Sequence, residues 1–294
     1  MVLALLTCAG SSRAEAPRPE VSPIEWRWRR FQAWEYPATV AALGGAFYLR
    51  FIAPSHEPNW SGGILFDDWV RDRVAIEKRS TRGIAAGFSD IVFYGAMGYR
   101  LIDSVIVPGL GRGNWDTVHQ MAMIDLEVFG FVAITLWGTQ AFIARERPYV
   151  NRCGGPSSLP NECGEGDSDR NRSFFAGHPT VGLAAAGLTC VHHAHLPLYG
   201  GSGDIIACGL MVGAGVMNGL GRVVADKHYA SDLTVGFGVG AFAGWVLPEL
   251  LHYAHPRPAP SAPAVTTSPE PTSVRAILLP SWSQGPGLSL LGIF

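Results

Sequence analysis

The chain has 294 residues, of which 48% are hydrophobic and only 16% charged. Ordinary soluble domains carry about 25% charged residues, so this balance excludes a disordered chain. A formal net charge of -2 without a basic stripe excludes a nucleic-acid binder. What remains is a lipid-embedded protein or an unusually apolar helical globule.

In chain order, residues 1–16 join an apolar run to small residues ending in Ala14 and Ala16. They read as a secretory signal with a weak cleavage site, or as an uncleaved apolar segment. Residues 17–35 form an interfacial segment, in which Trp26, Trp28 and Trp34 fit an aromatic belt or an apolar cap. Six apolar stretches follow, Tyr36–Ile52, Ile91–Leu110, Met121–Phe142, Thr180–Leu196, Ile205–Leu220 and Leu233–Leu251. No two-residue alternation breaks them, and a bilayer span needs about 20 residues, so each is predicted to be a helix. Arg50, Arg100, Asp103, Asp125 and Glu127 lie inside three of the stretches. At such depths charges face the bundle interior; a water-soluble bundle with an apolar core is the competing reading.

The polar segment Pro54–Arg82 is predicted to carry one amphipathic helix. The helical domain runs over 36–255, and 256–294 form a Pro-rich linker with a short C-terminal hairpin. The fold class is therefore all-α: a bundle of about six core helices, membrane-embedded, with a Pro-rich tail. Cys153 and Cys163 bracket one loop and suit either a disulfide or two free thiols. Cys190 and Cys208 read as small core residues. His192, His193 and His195 read as interfacial, with no acidic or thiol ligand set nearby, so no metal site is expected.

The chemistry gathers at helix ends. The third stretch ends in Arg147-Pro148 and the fourth is entered through Gly177-His178. The fifth exits into Arg222, His228 and Asp232 as the sixth begins. In antiparallel neighbours these ends share one mouth. His228 and Asp232 are four apart, so on a helix they share a face, and the carboxylate can take one ring proton. The other ring nitrogen is then a nucleophile, Arg147 and Arg222 clamp a phosphoryl group, and His178 protonates a leaving oxygen.

These segments resemble the type 2 phosphatidic acid phosphatase and vanadium haloperoxidase superfamily. Its pattern is Lys, six residues, Arg-Pro; then Pro-Ser-Gly-His; then Ser-Arg, five residues, His, three residues, Asp. Here Gly221-Arg222, His228 and Asp232 keep the last spacing, and the resemblance covers about Asp67 to Leu251. It implies His228 as nucleophile, Asp232 as its orienting partner and His178 as general acid. Arg147, Arg222 and the Gly177 N–H would hold phosphate oxygens. The family lysine is Gln140 here, the motif serine is Ala176, the serine before the second arginine is Gly221, and the proline is Phe175. Gln140 is expected to donate through its amide.

The expected function is a metal-independent phosphatase without a cofactor, acting on a lipid phosphate or isoprenyl pyrophosphate through a phosphohistidine. The alternatives are a vanadate-dependent haloperoxidase, a soluble acid phosphatase, or an impaired phosphate-binding relative. The expected partners are a phosphorylated amphiphile or small phosphate ester and a membrane. The expected location is a bacterial-type inner membrane, multi-pass, with the site facing the periplasm; export of the whole body is the alternative.

Overall fold

The computed structural model describes residues 24–53, 57–156, 163, 169–257, 275–281 and 287–293. The expected leader and most of the Pro-rich linker lie outside the described residues. The chain divides into two compact units, Met1–Arg257 and Pro258–Phe294. In the second, strands β1 (Arg275–Ser281) and β2 (Gly287–Ile293) pair antiparallel.

The first unit is all-α. Helix α1 (Glu35–Phe47) runs on through a wider turn, Tyr48–Ile52. The polar crossing behind it carries the short α2 (Asp67–Val74), opened by Asp67 and Asp68 where the helix dipole favours carboxylates. Helix α3 (Arg79–Leu101) continues as a π-helical segment to Gly111. It therefore starts twelve residues before the apolar stretch that announced it, and its polar first turns belong to the helix. Asn114 caps α4 (Trp115–Ile143) by accepting the Thr117 N–H, and Ala144 in the left-handed region ends it. Helices α5 (Gly177–His195), α6 (Ser202–Val224) and α7 (Ala230–Ala241, continuing helically to Tyr253) complete the bundle.

Helix α5 is the axis, with Ala184, Ala185, Ala186 and Leu188 fully buried. Helix α7 packs on it backbone to backbone: a Cβ on Gly240 or Gly244 would overlap the carbonyl of Thr180 or Ala184. Glycine is required at both positions by that approach. The Gly- and Ala-rich sequence of the last three helices thus becomes a dense interior.

The exterior is apolar and the charges are inside. Ile84, Ile91, Tyr94, Phe142, Ile205 and Leu210 are all exposed, whereas Arg82, Arg100, Asp103 and Arg145 are buried. A water-soluble bundle has the opposite arrangement. Four helices, Arg79–Gly111, Trp115–Ile143, Ser202–Val224 and Ala230–Tyr253, are long and apolar enough to cross a membrane.

Three of the charges inside the stretches, Arg100, Asp103 and Asp125, meet at the end of the bundle away from the α5 N-terminus. Arg100 donates to Asp103 at 2.6 Å and to both oxygens of Asp125 at 2.7 and 2.8 Å. His192 pairs with Asp125 at 3.1 Å, and His193 lies between Asp103 at 2.9 Å and Asp204 at 2.6 Å. This corrects the interfacial reading of the histidines: His192 and His193 are buried, and each has carboxylate partners supplied by other helices. Trp26 is likewise buried, packed on Trp28 and Tyr253 as a cap on that end, while Trp34 is exposed. Cys190 and Cys208, expected as small core residues, form a disulfide joining α5 to α6.

Replacing Arg100 by Met leaves Asp103 and Asp125 buried without their guanidinium, which costs about 3–5 kcal/mol for a broken buried pair. Unfolding of the detergent-solubilised variant is expected to show a loss of that size. A loss below about 1 kcal/mol would mean that the network does not hold the helices together.

Candidate active site

Four helix ends meet at the α5 N-terminus, and one buried arginine organises them. Arg145 directly follows Ala144, the left-handed residue that stops α4, and is fully buried between the rings of Trp60 and Tyr229, 4.0 Å from each centroid. It donates to Asp232 at 2.6 Å and to Asp67 at 2.8 Å. Asp67 in turn accepts the Ser231 N–H at 2.7 Å and its hydroxyl at 2.6 Å, tying α2 to α7. Neither Arg145 nor Asp67 stood out in the sequence, because neither belongs to a spaced motif.

His228 precedes α7 rather than lying on it, so it does not share a helix face with Asp232 as the four-residue spacing suggested. Its Nδ1 donates to the Ser173 carbonyl at 2.8 Å, and the nearest Asp232 oxygen is 3.8 Å away. The expected direct bond to Asp232 is therefore made to a backbone carbonyl instead. Asp232 spends its hydrogen bonds on the Ser173 hydroxyl at 2.5 Å, the Tyr229 N–H at 2.9 Å and Arg145. It fixes the loop that fixes the ring, and adds negative charge behind it. Because a carbonyl only accepts, Nδ1 carries the proton and Nε2 keeps its lone pair. Burial, and then the Arg147 guanidinium, push the His228 pKa down to about 3, so the ring is neutral at ordinary pH.

His178 is the second residue of α5. Its Nε2 lies 3.0 Å from Asp90 Oδ1, and the same oxygen accepts from Arg222 Nη1 at 2.8 Å. Asp90, one residue before the second apolar stretch, was missed. Desolvation is the largest influence on His178 and holds its pKa below the ordinary imidazole value against the pull of Asp90. Arg222 and Arg147 are both buried, and the Nε of each has no hydrogen-bond partner. Buried unpaired guanidinium N–H groups are costly unless an anion meets them. The first N–H groups of α5, Gly177 among them, also lack an intrahelical acceptor, and helix N-termini in general favour anions.

The family departures have structural counterparts. Gln140 is buried and its Nε2 donates to the Phe175 carbonyl at 2.9 Å, so the amide expected to face phosphate braces the loop before α5. Ala176 is the N-cap of α5 and offers no side-chain cap. Gly221 faces α3 so closely that a Cβ there would stand 2.9 Å from Ser89 Cβ. Cys153 and Cys163 form a disulfide in the loop after α4.

Among the described residues, Glu35, Glu127 and His252 bring ligand-type atoms within 4.8 Å of one another at the opposite end of the bundle. Glu35 is already held by Arg29 at 2.8 Å, and Glu127 by His252 at 2.8 Å.

Residues 126–256 match the family model described as the PAP2 superfamily, and this stretch contains Arg147, His178, Arg222, His228 and Asp232. Residues 126–256 belong to the PAP2 superfamily. Neither the curated proteins nor the solved structures compared with the chain include a match. The PAP2 stretch leaves out α2 and α3, which supply Asp67 and Asp90 to the same end of the bundle.

The low His228 pKa has a consequence for stability. An unfolded histidine takes up a proton near pH 6.5, whereas the folded one does not until about 3. The unfolded state therefore binds more protons between those values, and this contribution to stability, complete above pH 6.5, declines as pH falls. His228→Asn is expected to flatten the decline of melting temperature between pH 6.5 and 4.5. An identical slope in both proteins would show that the ring is not held neutral.

Proposed function

We propose that the protein is a phosphatase that passes the phosphoryl group of an amphiphilic phosphate ester to His228 and then to water. The superfamily match supports a phosphatase or a haloperoxidase-like phosphoesterase. The observation that carries the narrower reading is the His228–Ser173 hydrogen bond, which leaves Nε2 as an uncharged nucleophile beside two underused guanidinium groups.

In the first step Nε2 bonds to phosphorus and the P–O bond to the alcohol breaks. The leaving oxygen takes the proton of His178, and the alcohol departs. His228 becomes cationic, and Asp232 behind its Nδ1 offsets the charge. Arg147, Arg222 and the Gly177 N–H hold the three equatorial oxygens, where charge spreads in the transition state. In the second step water bonds to phosphorus, its proton goes to His178, and the N–P bond breaks. A bound phosphate dianion supplies the countercharge that raises the His178 pKa toward the range a general acid needs.

Two features support an amphiphile as substrate. The outer surface of the spans is apolar. An apolar groove of about 540 Å³ also runs between α3 and α6, from Val92, half a turn past Asp90, to Tyr199 at the far end. The Cys153–Cys163 bridge supports an oxidising compartment on the side of the site, which fits a multi-pass protein with its site facing the periplasm. Cys190–Cys208 lies about 20 Å further along α5 and favours the alternative, in which the whole body is exported.

The test is hydrolysis of phosphatidate and of a water-soluble phosphomonoester by the purified protein, with chelator present. Phosphate release from phosphatidate is expected, with a loss of at least 10³-fold in His228→Ala and about 10²–10³-fold in Arg222→Ala. Turnover that survives in His228→Ala would overturn the phosphohistidine route, and absence of turnover in the unmutated protein would overturn the phosphatase reading.

A further inference from the structure

One oxygen of Asp90 lies within hydrogen-bond distance of both His178 and Arg222. Under the reading above, those two groups serve the leaving oxygen and an equatorial oxygen of the phosphoryl group. One carboxylate oxygen thus stands where an oxygen of the substrate is expected. Its approach is built into the fold. Gly221 lets α3 come against α6, and the neighbouring Ser89 hydroxyl locks that contact by donating to Asn218 at 2.9 Å. Asn218 in turn donates to the His178 carbonyl at 3.1 Å. The backbone carrying Asp90 is therefore held, while its side chain remains 45% exposed toward the mouth. It can swing away without disturbing the bundle.

We propose that Asp90 is a specificity-determining residue that occupies one oxygen position of the phosphate site, so that an incoming phosphoryl group must displace it. Two anions cannot share one pair of donors cheaply, so the resident carboxylate acts as a built-in competitor. A small free oxyanion has only the donors to gain and is held weakly. An ester with an apolar chain gains further contact along the α3–α6 groove, which offsets the displacement. The same competition helps expel inorganic phosphate after turnover. This proposal rests on the phosphate site described under the proposed function. It goes further by assigning selectivity to a residue outside the matched stretch.

The test is calorimetric titration of the detergent-solubilised full chain with inorganic phosphate, comparing the unmutated protein with Asp90→Asn, Asp90→Ala and Arg222→Ala. Asn keeps the size and one acceptor while removing the charge. Phosphate is expected to bind about tenfold more tightly to Asp90→Asn, the size of one charged hydrogen bond released from competition. Asp90→Ala repeats the measurement without the amide. In kinetics, the preference for phosphatidate over a water-soluble phosphomonoester is expected to shrink by a similar factor. A residue that merely supports the fold would weaken phosphate binding when replaced. Unchanged or weaker binding in both folded Asp90 variants, with binding still lost in Arg222→Ala, would overturn the role of Asp90 alone. Phosphate binding that is indifferent to Arg222→Ala would overturn the phosphate site, and with it this proposal.

Discussion

One guanidinium, that of Arg145, ties together the segments from which the candidate site is made. It is fully buried, yet it faces two carboxylates, Asp67 and Asp232, and so leaves a local excess of negative charge. The excess is tolerable because Asp67 opens α2 and Asp232 lies in the first turn of α7, where helix dipoles are positive. The Arg145 carbonyl also accepts the Ser173 N–H at 2.9 Å, so the residue that orients His228 hangs from the same anchor. Trp60 and Tyr229 sandwich the guanidinium and keep water away. The bonds from Arg145 to Asp67 and Asp232, and from Ser231 to Asp67, link segments far apart in the chain.

The same logic of charge buried within an apolar shell governs the other end of the bundle. Arg100, Asp103, Asp125, His192, His193 and Asp204 pair with one another across α3, α4, α5 and α6. Between apolar surroundings and apolar helix exteriors there is little hydrophobic gain in bringing helices together, so close packing and polar contacts carry the association. Glycine contacts between α5 and α7 supply the first, and the ion network supplies the second. At the site end the Arg222 guanidinium meets one carboxylate, Asp90, whereas Arg100 at the other end meets two, Asp103 and Asp125.

The departures from the family pattern belong together as one rearrangement. Gln140 braces the loop before α5 in place of a charged donor, and Gly221 gives up a hydroxyl to let α3 approach. What that approach delivers is Asp90, a carboxylate at His178 and Arg222. Around Arg147 stand two further arginines: Arg172, whose pKa is lowered by burial and then by Arg50, and Arg50, which pairs with Asp169 at 3.0 Å.

The helices, the amphipathic crossing and the convergence of Arg147, His178, Arg222, His228 and Asp232 on one end were legible in the sequence. Apolar runs of span length dictate helices, and antiparallel neighbours bring alternate ends together whatever the packing details. Tertiary structure alone decided who touches whom. The partner of His228 is a backbone carbonyl, which no side-chain pattern reveals. Asp90 lies just outside an apolar run, Asp67 and Arg145 are 78 residues apart, and Cys190 meets Cys208 only because α5 and α6 pack side by side. Spacing along a chain constrains groups on one helix or one turn. Contacts between helices depend on how closely and at what rotation they pack, and here small residues such as Gly221 and Gly240 set that distance.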